Sequence, residues 1–203
     1  MAGLRRVLGI VGVVAMLLAL LDYRYPLQLP DNDASFARVV IDRHGELLRT
    51  FADKRGIWRY PVTLEQVSPH YLSALINYED RWFYYHPGVN PLSILRAAWQ
   101  NWRAGRIVSG GSTLTMQVAR LFHPHSRSLA GKFQQTLRAL QLELHLSKSE
   151  ILELYLNYAP FGGTREGVQA ASYQYLGKPA IDLTRAEATL MAVLPQAPSR
   201  LRP

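Results

Sequence analysis

Apolar and polar positions change their spacing several times along this chain. Residues 7–21 form an uncharged, largely apolar run, with Arg5 and Arg6 before it and Asp22, Tyr23, Arg24, Tyr25 and Pro26 after it. Residues 26–37 are polar and contain prolines, which reads as a linker. From 38 to 62 the pattern turns β-like. Val39-Val40-Ile41 and Leu47-Leu48 flank Asp42-Arg43-His44-Gly45, which predicts a hairpin with glycine in its loop. Ile57-Trp58-Arg59-Tyr60 is placed as a third strand before Pro61. So small a ribbon has to pack on the remainder of the chain.

Beyond residue 62 the spacing becomes helical and start signals recur. Ser68-Pro69 is an N-cap followed by a first-turn proline, and Leu72, Leu75, Ile76 and Glu79 then share one face. Asn90-Pro91 opens a second helix with Leu92, Leu95, Trp99 and Trp102 on one stripe. Ser112 or Thr113 can cap a third helix after Gly110-Gly111, and 132–146 reads as a long, mostly buried one. Ser147 with Glu150 is a capping box that launches 151–158. Thr164 is expected to begin a helix ended by Gly177, and Thr184 with Glu187 to cap the last one before Pro195. The expected fold class is mainly α, with a small N-terminal β hairpin.

Fifteen residues fall short of the about 20 that a spanning helix needs, although Leu4, Tyr23 and Tyr25 extend the run at residues 7–21. A cleaved signal peptide is the rival reading, but no small-x-small cleavage site comes after the run. The expectation is therefore an uncleaved transmembrane helix within residues 1–25, a linker at 26–37 and one domain at 38–203. Both readings leave Arg5 and Arg6 inside and put the body outside the cytoplasm. The net charge of +8 calls for an anionic partner. Given that placement, phospholipid head groups or a phosphorylated substrate fit better than nucleic acid. There is no cysteine, which excludes disulfides and thiolate metal sites.

Glu79 breaks the pattern of its own helix, because a carboxylate stands where the stripe calls for an apolar side chain. Such a group is costly unless it is paired, hydrogen-bonded or lining a cleft. Desolvation would raise its pKa and suit it to acid–base work. The plainer reading is an ion pair with Arg81 or Arg96. Gly110-Gly111-Ser112-Thr113-Leu114-Thr115 is a second candidate, where hydroxyls beside free helix-start amides can hold a phosphate, with Gln117 and Arg120 further along. An ordinary flexible loop with a capped helix is the plainer reading of these residues taken alone. His123 and His125 lack metal-ligand spacing and are taken as loop residues, so no metal ligand is assigned. Glu143 and Glu153 are read as structural partners within apolar helices. No Walker loop, dinucleotide fingerprint or Ser-His-Asp arrangement is present.

Taken together, these segments resemble the peptidoglycan glycosyltransferases of glycosyltransferase family 51 from about residue 39 to 203. The first family motif reads Glu79-Asp80-Arg81-Trp82-Phe83-Tyr84-Tyr85-His86-Pro87-Gly88, and the second Gly110-Gly111-Ser112-Thr113-Leu114-Thr115-Met116-Gln117. A later one runs Ile151-Leu152-Glu153-Leu154-Tyr155-Leu156-Asn157 and then Phe161-Gly162, and Leu194-Pro195-Gln196-Ala197-Pro198-Ser199 closes the set. The resemblance implies a lysozyme-like helical fold and polymerisation of lipid II. The lipid-linked glycan chain would be the donor, the sugar 4-hydroxyl of lipid II the acceptor, and undecaprenyl diphosphate would leave with inversion. It implies that Glu79 is the general base. Ser112, Thr113, Gln117 and Arg120 would contact the diphosphate or donor sugars, and Asp80, Phe83 and His86 would shape the cleft. Tyr155 and Asn157 would support the site. The implied location is the bacterial inner membrane, single-pass, with the domain in the periplasm. Lipid II, the lipid-linked chain and membrane phospholipid are the implied partners, with room for other cell-wall synthesis proteins and none for nucleic acid.

One stretch departs from the family pattern. Where the family has an Arg-Lys pair followed by a second glutamate, this chain reads Gly131-Lys132-Phe133-Gln134-Gln135. A divalent cation, magnesium or manganese, is the family's usual helper at the diphosphate. Gln135 weakens the case for it here, since an amide cannot bind such an ion as a carboxylate does. Lys132 and Gln135 remain expected at the diphosphate, and Arg138, one turn on, is expected to replace part of the missing cation. Two rival functions stand beside polymerisation: a lysozyme-like enzyme that cleaves glycan, and a non-catalytic module that binds lipid II or wall-synthesis proteins. Bifunctional relatives continue into a transpeptidase domain. No Ser-x-x-Lys acylation motif occurs in these residues, so no peptide cross-linking is expected of them.

Overall fold

The computed structural model describes residues 9, 12–13, 16, 19–20, 22–29, 37–43, 47–126 and 128–196. Most of the apolar run at 7–21, and most of the linker, lie outside these residues. Among the described residues, no helix is long and apolar enough to cross a membrane.

The hairpin forms as its pattern predicts. Strands β1 (Arg38–Ile41) and β2 (Leu47–Phe51) pair antiparallel, with an irregularity between Val40 and Ile41. Its docking is slighter than expected. Val39, Val40, Leu48 and Phe51 are all exposed, and the ribbon is tied down near its base, where the Ala37 N–H donates to the Arg59 carbonyl. The expected third strand shrinks to one bridge, between Trp58 and Arg165. Arg165 belongs to a second ribbon that the sequence pattern did not predict, β3 (Pro160–Gly162) with β4 (Arg165–Glu166).

Among the described residues, seven α-helices make the body: α1 (Pro69–Glu79), α2 (Pro91–Ala104), α3 (Leu114–Phe122), α4 (Leu129–His145), α5 (Lys148–Tyr158), α6 (Val168–Leu176) and α7 (Arg185–Val193). Four of the expected caps form, at Asn90, Thr113, Ser147 and Thr184; Ser68 precedes α1 without a side-chain cap bond, its hydroxyl donating instead to the Leu183 carbonyl, and Ser128 is a cap that the pattern did not predict. Asn90, Thr113, Ser128, Ser147 and Thr184 each accept from an amide in the first turn, and the Ser147–Glu150 and Thr184–Glu187 boxes close reciprocally. Two starts differ: α4 begins at Leu129, three residues before the expected 132, and buries only part of its length, and α6 begins after Gly167, because Thr164 is used by a strand-like bond from the Trp58 N–H to its carbonyl.

Helix α5 runs through the middle of the core, burying Ile151, Leu152, Tyr155, Leu156, Asn157 and Tyr158. Around it pack Leu75 of α1, Leu114, Met116 and Val118 of α3, Leu142 of α4 and Met191 of α7. Each large side chain buried there contributes about 1.5–3 kcal/mol. Helix α2 stands apart. Of its residues only Ala97 is buried, and the Leu92, Leu95, Trp99 and Trp102 stripe faces outward. That stripe has the spacing of a core face without being one.

Candidate functional site

Glu79 is the last residue of α1, where the helix ends against α3. Gln117, one turn into α3, donates from Nε2 to Glu79 Oε2 at 2.8 Å. The second oxygen, Oε1, is buried with no hydrogen-bond partner among the described residues. Burial pushes the carboxyl above the ordinary range, opposed by the amides of Gln117 and the nearby Gln196. Tyr71 and Tyr155 lie beneath with buried hydroxyls, and burial together with the Glu79 charge drives both phenols further from ionisation. No ion pair involves Glu79 among the described residues, so the plainer reading, a bond to Arg81 or Arg96, does not hold. A desolvated, half-bonded carboxylate of this kind is suited to taking a proton.

Its neighbours in the first motif tie the site together, and Asp80, Arg81 and Trp82 also line a pocket with Glu79, Ser112 and Thr113. Both oxygens of buried Asp80 lie 3.0 Å from His86 Nε2, and Oδ2 also accepts from the Leu114 N–H at 3.0 Å. Asp80 thereby fastens the end of α1 to the start of α3 and fixes Glu79 relative to Gln117. Phe83 is fully buried, with the Lys148 ammonium 4.5 Å from its ring centre. Gly88 adopts φ +81°, and a Cβ there would come within 2.9 Å of the Ala139 carbonyl oxygen. Its own carbonyl accepts from Thr113 Oγ1 at 2.5 Å. Glycine is required by both the turn and the close approach.

The second motif divides in the same way. Thr113 is buried as the cap of α3, and Thr115 donates to Glu143 at 2.6 Å. Ser112 faces the open side, where it accepts from Lys132 Nζ. The lysine also donates to Gln135 Oε1 at 3.0 Å, and Gln135 Nε2 donates to the Met116 carbonyl at 2.6 Å. Gly131 cannot be exchanged for arginine in this fold, because a Cβ there would fall 2.1 Å from the Ser126 carbonyl oxygen. Arg138 requires a correction. Its guanidinium donates to the Tyr25 carbonyl at 2.7 Å and to Gln141 at 2.5 Å, on the side that meets the N-terminal segment. The cation near Lys132 is instead Arg120.

These groups line one cleft of about 720 Å³, which takes in Glu79, Ser112, Gln117, Arg120, Gln135 and Tyr155. A neighbouring groove of about 760 Å³ shares Ser112, Arg120 and Gln135 and adds Lys132, then runs over Ile94, Ile107, Leu129 and Phe133. Polar, cationic groups thus stand where the cleft passes into an apolar channel. Gln196 gains a role that its motif alone did not suggest; nothing in the spacing shows that the 194–196 turn returns to Tyr78 and Glu79. Asn157 supports from behind, bonding both the N–H and the carbonyl of Val62. Glu143 pairs with Lys148, and Glu153 accepts from the Leu64 N–H, so both are structural.

Comparison with known proteins agrees with this geometry. The pattern of the family described as Transglycosylase matches residues 44–203. Penicillin-binding protein 1C of Escherichia coli is 65% identical over 175 residues, covering 86% of this chain and 23% of that protein. Penicillin-binding protein 1A of Aquifex aeolicus is 39% identical over 97% of this chain, and that of Pseudomonas aeruginosa 42% over 81%. The chain spans about a quarter of the length of these curated relatives. With its motifs, its cleft and 160 matched residues in agreement, the chain belongs to the transglycosylase family, the peptidoglycan glycosyltransferases of family 51.

Proposed function

We propose that this domain polymerises lipid II, transferring a lipid-linked glycan chain to the sugar 4-hydroxyl of the next lipid II with inversion. The observation that carries the reading is Glu79, a desolvated carboxylate with one oxygen fixed by Gln117, lining the cleft that also holds Arg120 and Ser112. Glu79 takes the proton of the acceptor hydroxyl as the new glycosidic bond forms. The bond from the donor sugar to its diphosphate breaks, and the electron pair leaves with undecaprenyl diphosphate. Lys132 and Arg120 meet the charge that develops there. The apolar groove beyond them suits a polyprenyl chain.

The outward stripe of Leu92, Leu95, Trp99 and Trp102 supports seating against the bilayer, since exposed tryptophans and leucines are otherwise costly and tryptophan favours the interfacial zone. In this reading the run at 7–21 anchors the domain in the bacterial inner membrane, with the cleft on the periplasmic side. Phospholipid and lipid-linked glycan are its partners, and other wall-synthesis proteins fit the same placement. Full-length protein in detergent, given labelled lipid II in one reaction and finished, lipid-free glycan in another, tests the assignment. Long glycan from lipid II and no shortening of the finished glycan are expected. Cleavage of the finished glycan identifies a hydrolase, and lipid II binding without turnover a non-catalytic module.

A further inference from the structure

Lys132 is held in an unusual way. Its two side-chain partners among the described residues are Ser112 and Gln135, and neither carries charge. Gln135 is buried, and its amide can face only one way. Its oxygen accepts from the ammonium, and its nitrogen donates to the Met116 carbonyl of α3. Helix α3 therefore fixes the amide, and the amide fixes the lysine. A carboxylate at this position would neutralise the ammonium and set a second oxygen against the Met116 carbonyl. Burial, and then the proximity of Arg120, pull Lys132 below the ordinary lysine range, as expected for a cation without a counter-charge. The residues do not suit a divalent cation. The one amide oxygen is occupied by the lysine, and no group of three His, Asp or Glu side chains that could hold a metal exists among the described residues.

Resting on the polymerase reading, we propose that Gln135 is a positioning residue that keeps Lys132 at Ser112 as an un-neutralised cation, so that lysine and Arg120 stabilise the leaving diphosphate without a divalent metal. As the bond from the sugar to the diphosphate oxygen breaks, that oxygen gains the electron pair, and the charge is met by the ammonium directly. Glu79 keeps the acceptor proton, so no further reactant is needed.

The test uses full-length protein, with lipid II polymerisation and binding of inorganic pyrophosphate each measured in excess EDTA and in excess magnesium. Wild-type polymerisation is expected to agree within about twofold between the two buffers. Gln135→Glu is expected to lose about tenfold or more in pyrophosphate affinity in EDTA, because its carboxylate pairs with Lys132, and to respond to magnesium. Should that variant fail to fold, Gln135→Met keeps the site neutral but releases the lysine. It is expected to bind pyrophosphate more weakly and still to ignore magnesium. Wild-type activity lost in EDTA and restored by magnesium overturns the proposal. So does pyrophosphate binding in EDTA that neither folded variant weakens. If no buffer yields polymer while the pyrophosphate pattern holds, the polymerase reading fails and the cation site stands.

Discussion

Replacing Glu79 by glutamine should slow catalysis by orders of magnitude while making the fold more stable at neutral pH. The carboxylate has one bonded oxygen and one buried oxygen without a partner. A buried, unsatisfied polar atom costs about 1–3 kcal/mol. Glutamine keeps an acceptor for Gln117 and removes the charge, but it places an equally unpartnered amide nitrogen at the second position. Only part of the cost is recovered, about 0.5–1.5 kcal/mol. In a domain of this size about 1 kcal/mol moves Tm by roughly 2–4 °C, which a thermal melt resolves. The pH dependence is set by the direction of the Glu79 shift. The folded-state pKa lies above its ordinary value of 4.5. Wild-type stability from this group is therefore fully present below the unfolded pKa and is lost as pH rises through the folded one. The variant does not titrate there, so its advantage should be near zero in acid and grow to a plateau above the raised pKa. A variant destabilised by more than about 1 kcal/mol at neutral pH would refute the reasoning and make Glu79 a structural partner.

Asp80→Ala should cost about 2–4 kcal/mol, because it leaves both the Leu114 N–H and buried His86 unpartnered; chemical denaturation measures it, and a cost within experimental error would show that Asp80 does not join α1 to α3. The polymerisation rate should rise with pH through the raised Glu79 pKa, so the acid limb of the rate profile should have its midpoint above 4.5, and a midpoint at or below that value contradicts the desolvated base. In vesicles containing brominated phospholipid, tryptophan fluorescence should be quenched strongly in the wild type and much less in a Trp99→Phe, Trp102→Phe double variant; equal quenching would mean that the α2 stripe does not meet lipid.

Much of the fold was legible because it is set locally. Asn90, Thr113, Ser147 and Thr184 cap helices through bonds to their own first turns, and the two hairpin strands lie where their apolar runs placed them, Gly45 itself lying outside the described residues. The features that were not legible depend on distant segments. Thr164 is a good cap by composition, yet its carbonyl is taken by Trp58, more than a hundred residues earlier in the chain. Periodicity shows that Leu92, Leu95, Trp99 and Trp102 share a face, but the same spacing serves a core and a lipid-facing surface. At the site, Glu79 was visible as a carboxylate on an apolar stripe. Arg138 was misplaced because one turn beyond Gln135 puts it on the same helix without fixing where its long side chain reaches. It reaches Tyr25, while Arg120 of α3 approaches Lys132.

The central claim is that Glu79 takes the acceptor proton in the step that lengthens the glycan. Its most direct test is the turnover of lipid II by the wild type and by Glu79→Gln, at matched lipid II binding and in the same detergent. The variant is predicted to bind lipid II with affinity close to wild type but to polymerise it about 10²–10⁴-fold more slowly, the usual loss on removing a general base. Glycan formed by the variant at the wild-type rate would contradict the claim.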